Sequence, residues 1–384
     1  MRWGWILSAL LFVVSNSAFG DAELKRDYST PTRALEPSQY PNFSDDLNFE
    51  EMDLALDRQI KRFQQRDLSG TIQFGSEQYP QQKLLDTMLS FKADVQLMRQ
   101  CLTTKTKTQC NEWLDRRIKE NYDVFVPDMG DIDYQDTAFA HFTAYYTPTL
   151  KASYSKTKAK PHAIYSMPKE GYLRSKTREE IDFLGALRGY GYEMFYTKDM
   201  FELYLMQIEG GGKVVVEYDD GSTKSYYLSY AGTNRKAWRF ISKYMYERGM
   251  IKDRSVASQR KYLKENPRDW RRIYSYCPSY VYFKVTEDPP LGSDMVSLTD
   301  NRSIATDYRR YSLKGTLSFI RGKRPNPVGE SGYRVFSRFM IDQDTGGAIK
   351  GNARADLYFG EGAYAEKAAN SVNNRGQMFF LLKK

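Results

Sequence analysis

The sequence has few of the residues that usually carry metal or nucleophilic chemistry. Its 384 residues include two histidines, His141 and His162, and three cysteines, Cys101, Cys110 and Cys277. The cysteine spacing matches no metal-binding motif, and two histidines are too few for an ordinary structural zinc site. We therefore expect no metal, and we interpret both histidines as packing or surface residues. If the protein is an enzyme, its carboxylates must carry most of the chemistry.

The N-terminal apolar run is too short to span a bilayer comfortably. It covers residues 5–14, follows Arg2 and precedes a small-residue segment at 17–20. This order is typical of a cleavable secretory signal, with a buried N-terminal helix as the alternative. We predict a signal peptide at 1–20 and an exported mature protein that begins near Asp21. No cysteine follows the run, so we expect a periplasmic or secreted protein that is not a lipoprotein and has no membrane anchor.

Export to an oxidising compartment would allow a disulfide bond. Cys101 and Cys110 lie close in the sequence and could pair, which would leave Cys277 as a free thiol. Three unpaired cysteines are the alternative, and the spacing alone does not decide between the two.

The net charge of +9 and the 30 tyrosines give the chain a basic and aromatic composition. Such a surface suits nucleic acid, but export argues against that partner. It also suits an anionic glycan, because sugar rings stack on Tyr and Trp faces and carboxylated wall polymers attract Lys and Arg. We therefore expect a glycan and no nucleic acid, with a merely solvated basic surface as the alternative.

Hydrophobic periodicity predicts a helical first part followed by two β-rich parts, with divisions near Thr147 and Val285. The predicted helices are 47–65, 83–102, 112–122, 237–248, 255–265 and 363–373. The predicted strands are 142–147, 213–218, 225–229, 280–285, 303–305, 316–320, 333–341 and 378–382. The turn residues between the second and third of these strands predict a hairpin.

The segment from Asp344 to Asp356 is the most informative part of the chain. It reads Asp-Thr-Gly-Gly-Ala-Ile-Lys-Gly-Asn-Ala-Arg-Ala-Asp, so two carboxylates flank a glycine-rich turn. Gly346 and Gly347 would let the backbone bend sharply. The alternation after Lys350 predicts a strand that delivers Asp356 to a defined place.

This segment is one of an ordered set of motifs. The others are Tyr-Tyr-Thr-Pro at 145–148, Tyr-Ser-Met-Pro at 165–168, and the segments 177–181, 230–234, 279–283 and 301–307. Asp307, Asp344 and Asp356 form a set of three aspartates in the C-terminal part. In this order and together, the motifs resemble the lytic murein transglycosylase A (MltA) family, over most of the mature protein.

The resemblance implies a fold that the spacing does not show. It implies a mainly β chain with N-terminal helices (α+β), in which residues 21–147 plus 286–384 form a double-psi β-barrel. Residues 148–285 would form a second, inserted β-barrel domain, with a groove between the two domains. We expect a monomer.

The resemblance also implies non-hydrolytic cleavage of the β-1,4 bond between N-acetylmuramic acid (MurNAc) and N-acetylglucosamine (GlcNAc) in peptidoglycan, leaving a 1,6-anhydro-MurNAc end. Asp356 would act as general acid on the glycosidic oxygen and then as base for the C6 hydroxyl. Attack from within the same sugar has an entropic advantage. To be protonated at neutral pH, this carboxyl would need partial burial or a second carboxylate nearby. The chemistry needs no cofactor.

Further residues are assigned to the site by the same resemblance. Asp344 and Asp307 could supply the neighbouring charge or simply hydrogen-bond backbone amides, and Thr147 could support Asp356 or pack at a strand end. The candidate substrate-binding residues are Tyr145, Tyr146, Gln207, Glu209, Tyr230, Asn234, Gly346, Gly347 and Lys350. Tyr145 and Tyr146 would face opposite sides of a strand, so that one could line the groove while the other packs in a core. Lys350 and Arg354 could hold a carboxylated substrate or be solvated charges.

Two positions depart from the family pattern. Gln207-Ile208-Glu209-Gly210 stands where the family usually has Gln-Gly-Ser-Gly, which adds a negative charge. Cys277 stands where Asn is usual. We therefore leave the substrate contacts near Glu209 open and expect Cys277 to be structural.

Two other functions stay open. An expansin-like protein would bind wall polysaccharide without cleaving it, although the intact Asp356 argues against this. A hydrolase of the same bond would use a second carboxylate, Asp344 or Glu361, to activate water.

Overall fold

The structure is a computed structural model. It describes residues 30–129, 138–289 and 291–384. The predicted signal peptide at 1–20 and the expected mature start near Asp21 lie outside these residues.

The chain forms two compact units. The inserted unit comprises Thr147–Pro290. In the described ranges, the outer unit combines residues up to Tyr146 with Leu291–Lys384. Each unit has its own sheet and its own hydrophobic core.

The elements are numbered in chain order. The helices are α1 Met52–Gln64, α2 Gln82–Thr104, α3 Lys107–Asn121, α4 Gly171–Arg174, α5 Arg178–Asp182, α6 Met200–Glu209, α7 Ile241–Glu247, α8 Val256–Glu265, α9 Trp270–Ser275 and α10 Gly362–Ser371. The strands are β1 Thr32–Ala34, β2 Thr71–Phe74, β3 Glu77–Pro80, β4 Tyr122–Pro127, β5 Phe139–Thr147, β6 Thr149–Ser153, β7 His162–Tyr165, β8 Glu193–Thr197, β9 Gly211–Glu217, β10 Thr223–Thr233, β11 Val281–Thr286, β12 Ser303–Thr306, β13 Thr316–Pro325, β14 Tyr333–Thr345, β15 Arg354–Glu361 and β16 Asn373–Lys383.

The sheet of the outer unit closes into a barrel. Its strand order is β1-β4-β16-β13-β14-β12-β15-β5, and β16 also pairs with β5. The six strands from β16 round to β5 therefore form a ring, while β4 and β1 extend the sheet from β16. Strand β12 runs parallel to β14 and antiparallel to β15. Closure gives the strands of the ring partners on both sides and fixes their side-chain directions.

Aromatic side chains fill the core between this barrel and its helices. Phe43, Phe49, Phe91, Phe319 and Phe339 are all buried. The rings of Phe91 on α2 and Phe339 on β14 have centroids 4.6 Å apart. Interlocked rings of this kind remove a large apolar area from water and hold the helix against the strands.

Two of the three cysteines form a disulfide bond, which is the first of the two alternatives that the sequence left open. Cys101 on α2 is bonded to Cys110 on α3, which ties the two helices together. Cys277 is a buried free thiol.

The inserted unit has a six-stranded sheet of order β11-β10-β9-β6-β8-β7. Ser166, directly after β7, forms a bridge with Phe283 of β11, so the two edges of the sheet meet. The predicted hairpin is present as β9 and β10, with Tyr218 N–H donating to Ser222 O across the turn at 2.8 Å. Buried residues of α6, α7 and α9 form a separate apolar cluster that includes Tyr204 and Met245.

Candidate active site

Three strands of the barrel bring the two most informative carboxylates to one face. Ala305 of β12 is paired with Asp344 of β14 on one side and with Asp356 of β15 on the other. Directly paired residues on neighbouring strands point to the same face of a sheet. Asp344 and Asp356 therefore share a face, with their Cα atoms about 10 Å apart across two strand spacings.

Asp356 is held through one carboxylate oxygen. Thr143 Oγ1 donates a hydrogen bond to Asp356 Oδ1, and Arg354 Nη1 lies 3.0 Å from the same oxygen. Asp356 Oδ2 makes no hydrogen bond with any residue that the structure describes. The side chain is 15% exposed. Oδ2 is therefore the oxygen that can exchange a proton with a bound molecule.

Asp344 is buried on the same face and is only 2% exposed. The Tyr145 hydroxyl donates to its Oδ2 at 3.1 Å, and the Ser293 N–H donates to its Oδ1 at 2.9 Å. Burial raises the pKa of Asp344 to about 6, although these hydrogen bonds act in the opposite direction. Asp344 thus changes charge near neutral pH but offers almost no surface to a substrate.

The two adjacent tyrosines have different surroundings. Tyr145 is buried, with its ring 5.1 Å from that of Tyr358, and burial together with the Asp344 charge raises its pKa far above the usual range. Tyr146 is partly buried against the apolar core of the outer unit. Tyr145 is therefore the tyrosine that supports the carboxylate face.

Asp307 holds a loop in place. Its Oδ2 accepts a hydrogen bond from the Gly351 N–H at 2.7 Å, and its Oδ1 accepts one from the Arg309 N–H at 3.0 Å. Its side chain is buried. Asp307 thus fixes the chain that enters β15 just before Asp356, which matches the structural alternative for this residue.

The chain turns at Gly346 and Gly347, with the Ile349 N–H donating to Gly346 O at 3.0 Å. The left-handed conformation that favours glycine occurs at Gly351, with φ +93°, and at neither of those two residues. A Cβ atom at Gly347 would meet no other atom within 4 Å. Gly347 and Lys350 are both exposed. The position in this loop where the backbone conformation favours glycine is therefore Gly351.

A second buried carboxylate was not singled out from the sequence. Lys314 Nζ lies 3.1 Å from Asp342 Oδ1, and Thr306 Oγ1 donates to Asp342 Oδ2 at 2.8 Å. Burial raises the pKa of Asp342 to about 6. Its spacing gave no usable signal: Asp342 precedes Asp344 by two residues, but a register shift in the pairing of β12 with β14 sets Asp342 opposite Ile304 and Asp344 opposite Ala305.

Both histidines lie in packed surroundings. His141 Nε2 is 2.6 Å from Asn373 Oδ1, and the ring of His162 packs 5.8 Å from that of Trp270. Burial lowers the pKa of each. In the described ranges, no group of three or more His, Cys, Asp or Glu residues is arranged to hold a metal ion. No helix in that part of the chain is long and apolar enough to cross a membrane.

Two family models match the chain in succession. The MltA specific insert domain matches residues 141–284, and the 3D domain matches residues 302–382. Together they cover more than half of the chain. The chain belongs to the MltA family. The resemblance drawn from the motifs is thereby confirmed.

Curated MltA proteins are similar to the chain over much of its length. It is 32% identical over 245 residues to the membrane-bound lytic murein transglycosylase A of Escherichia coli (strain K12), which covers 62% of this chain and 65% of that protein. It is 29% identical over 281 residues to the Vibrio cholerae protein of the same name, which covers 71% of this chain and 74% of that protein. The alignment thus spans just under two thirds of the E. coli relative.

Solved structures share the fold. E. coli MltA with bound chitohexaose has a TM-score of 0.67 at 24% identity and covers 92% of this chain and 95% of that one. MltA from Neisseria gonorrhoeae has a TM-score of 0.66 at 20% identity and covers 91% and 92%. These matches confirm the predicted fold class, a mainly β chain with helices that is built on a β-barrel.

Two candidates in the MltA insert are buried supports. Asn234 Nδ2 donates to Lys176 O and to Pro278 O, both at 2.8 Å, and its Oδ1 accepts the Tyr280 N–H at 2.9 Å. Gln207 is 1% exposed. Both side chains are too buried to contact a substrate in this structure, so they stabilise the interior of the insert.

The remaining candidates lie at element ends or against the core. Glu209 is the last residue of α6 and is followed by Gly210 at φ +76°. Tyr230 on β10 is partly buried against the apolar cluster of the insert sheet. Thr147 is buried at the end of β5. Cys277, at the position where the MltA family usually has Asn, is fully buried, which fits a structural role.

Proposed function

We propose that the protein is a peptidoglycan lytic transglycosylase that cleaves the MurNAc-GlcNAc β-1,4 bond without water. The observation that carries the proposal is the state of Asp356, with Oδ1 held by Thr143 and Arg354 and Oδ2 without a partner among the described residues. Family membership supports it, as do relatives named lytic murein transglycosylase A. The bound chitohexaose of the E. coli MltA structure supports a glycan as ligand.

One carboxyl group suffices for both halves of the reaction. In the first half, protonated Asp356 donates its proton from Oδ2 to the departing glycosidic oxygen, and the bond from that oxygen to the MurNAc anomeric carbon breaks. In the second half, the C6 hydroxyl of the same MurNAc attacks the anomeric carbon and gives its proton to the Asp356 carboxylate. The acid is regenerated, no water is consumed, and the sugar ends as the 1,6-anhydro form. Attack within one ring needs no second molecule to be ordered.

Asp344 and Tyr145 would support Asp356 indirectly, from buried positions on the face that Asp344 and Asp356 share. Asp344 is buried and its pKa of about 6 lets it carry negative charge at neutral pH. Tyr145, which donates to Asp344, lies on β5 two residues after Thr143, which donates to Asp356, so the buried contact would hold the strand that anchors the acid. Asp307 would contribute indirectly, by fixing the loop that leads into β15.

The described carboxylates favour this route over two-carboxylate hydrolysis. An inverting hydrolase needs a second carboxylate about 6.5–9.5 Å away that can reach water. Asp344 is 2% exposed and lacks that access. Glu361 is five residues beyond Asp356 on β15, which places its Cα about 17 Å away along the strand. Neither residue is placed as a water-activating base.

The wider setting belongs to the same proposal. We infer an exported protein, periplasmic or secreted and without a lipid anchor, that acts as a monomer on peptidoglycan glycan strands. The net charge of +9 would speed its encounter with an anionic wall.

Mass spectrometry of the soluble products from isolated peptidoglycan tests the proposal. The variants are Asp356→Asn and, as a matched control, Asp288→Asn, which changes an exposed carboxylate. We expect anhydro-MurNAc products from the wild type and from Asp288→Asn, and none from Asp356→Asn. Products heavier by one water would indicate a hydrolase, and wall binding without products would indicate an expansin-like protein.

A further inference from the structure

Arg354 contacts the Asp356 carboxylate and its hydrogen-bonding partner together. Its Nη1 lies 3.0 Å from Asp356 Oδ1, and its Nη2 donates to Thr143 Oγ1 at 2.7 Å. Nη1 also donates to the backbone carbonyls of Ala355, at 3.1 Å, and His141, at 3.3 Å. The Arg354 side chain is 17% exposed, so most of it is enclosed. This placement differs from that of a solvated charge.

The donor-only chemistry of arginine fixes the direction of the neighbouring hydroxyl. A guanidinium has donors and no acceptor, so Thr143 Oγ1 must accept from Arg354. The single hydroxyl proton of Thr143 is then left for Asp356 Oδ1. Oδ1 thus faces a hydrogen-bond donor and a cation, and both disfavour a proton on that oxygen. When the carboxyl is protonated, its proton belongs on Oδ2.

The positive charge also acts on the carboxyl as a whole. A cation within about 4–6 Å of a carboxylate favours the charged form. The other titratable groups around this face are His141 and Tyr145 on β5, Tyr358 on β15, Asp344 on β14 and Arg375 on β16. Burial lowers the pKa of His141 and raises that of Tyr145, so both are neutral at pH 7. Arg354 is the cation in direct contact with the carboxylate.

We propose that Arg354 is a positioning residue that directs the proton of Asp356 to Oδ2 and sets the pH above which the enzyme loses activity. The inference rests on the proposed function, because the reaction needs a protonated Asp356. In this proposal Arg354 interacts with the catalytic carboxyl of Asp356 and not with a carboxylate of the substrate.

Two variants separate charge from geometry. Arg354→Met removes the charge but keeps an apolar stem of similar length, so we expect the alkaline limb of the pH profile of kcat to move up by about one pH unit. Because the carboxyl also loses its anchor, kcat at low pH should fall more than KM rises. Arg354→Lys keeps the charge without the forked geometry, so kcat should fall while the limb stays at the wild-type pH. Arg334→Met, which removes an exposed arginine elsewhere on the outer unit, is the matched control.

A second readout does not depend on turnover. The carboxyl carbon of Asp356 can be titrated by 13C NMR in the wild type and in Arg354→Met, with Asp356→Asn identifying its signal. We expect its titration midpoint to be higher in Arg354→Met. If the wild type yields no anhydro product, the proposed function fails, and the NMR titration still decides the role of Arg354.

Two results would overturn the inference. One is an unchanged alkaline limb and an unchanged Asp356 titration in Arg354→Met. The other is a rise in KM alone, which would make Arg354 a substrate contact. If Arg354→Met does not fold, as judged by circular dichroism, a wild-type kcat in Arg354→Lys would rule out a positioning role, and a displaced alkaline limb would rule out control by charge.

Discussion

Asp344 and Asp356 show how the strands on either side of β12 give one residue type two different surroundings. Both are paired with Ala305 and share a face. Asp344 is buried and accepts a hydrogen bond from Tyr145. Asp356 keeps one carboxylate oxygen without a partner among the described residues. The sequence predicted that both carboxylates matter, but it could not show which would be buried, because burial depends on contacts with β5, far away in the chain.

The pKa of Asp344 makes stability depend on pH. Its pKa is about 6 in the folded protein against an ordinary value of 3.8. The folded state therefore holds this proton more tightly than the unfolded chain does. The resulting stabilisation is fully present below about pH 4 and is lost as the pH rises through about 6, at a cost of about 3 kcal/mol.

Asp344→Asn should remove this part of the pH dependence. An amide does not titrate, and it can still accept from the Ser293 N–H and donate to the Tyr145 hydroxyl. Urea unfolding at pH 4, 5, 6 and 7 would measure the effect, with Asp288→Asn as control. We expect the free energy of unfolding to fall less between pH 4 and 7 in Asp344→Asn than in the wild type. Parallel curves for the two proteins would show that folding does not raise the pKa of Asp344.

The elements that sequence periodicity located best are those with one apolar face. Helices predicted at 83–102 and 112–122 correspond to α2 and α3. The helix predicted from residue 47 begins at Met52, because Asn48, Phe49 and Glu51 adopt positive φ. Helix α6 was missed because most of its residues are buried, so no polar face marks a helical period.

Gly347, before β15, and Gly360, within it, allow a test of where the backbone tolerates no side chain. Gly360 has φ +88°, and a Cβ atom there would lie 2.1 Å from Asp300 Cγ. Gly360→Ala should therefore destabilise the protein by about 3 kcal/mol, through strain and overpacking. Gly347→Ala meets no atom and should cost less than about 1 kcal/mol. Thermal unfolding of the two variants compares them directly.

Activity then separates two roles for Gly347. If its bare backbone lets a glycan approach, Gly347→Ala should lose activity on peptidoglycan while keeping its melting temperature. Wild-type activity in Gly347→Ala would remove Gly347 from the candidate substrate-binding residues. A melting temperature for Gly360→Ala equal to that of the wild type would contradict the close contact with Asp300.

At the scale of the molecule, the barrel depends on strands from both ends of the described chain. His141 on β5 contacts Asn373 on β16 across 232 residues of sequence. That stretch of sequence includes the whole inserted unit, Thr147–Pro290. No local pattern specifies such a pairing, since strand register is set by partners that periodicity does not reveal. The ordered family motifs indicated this fold and predicted a catalytic role for Asp356. They did not indicate the pairing of both carboxylates with Ala305, or the contact of Arg354 with Asp356.

The net charge of +9 leads to a prediction that involves the whole surface. Long-range attraction between a basic protein and an anionic wall is screened over about 10 Å at 0.1 M salt and about 30 Å at 0.01 M. We therefore expect kcat/KM on isolated peptidoglycan to fall as salt rises between these concentrations, mainly through slower association. A neutral chitooligosaccharide, measured by its binding affinity, is the matched control and should respond much less. Equal salt responses for the two ligands would mean that the positive charge plays no part in reaching the wall and that recognition depends on short-range contacts alone.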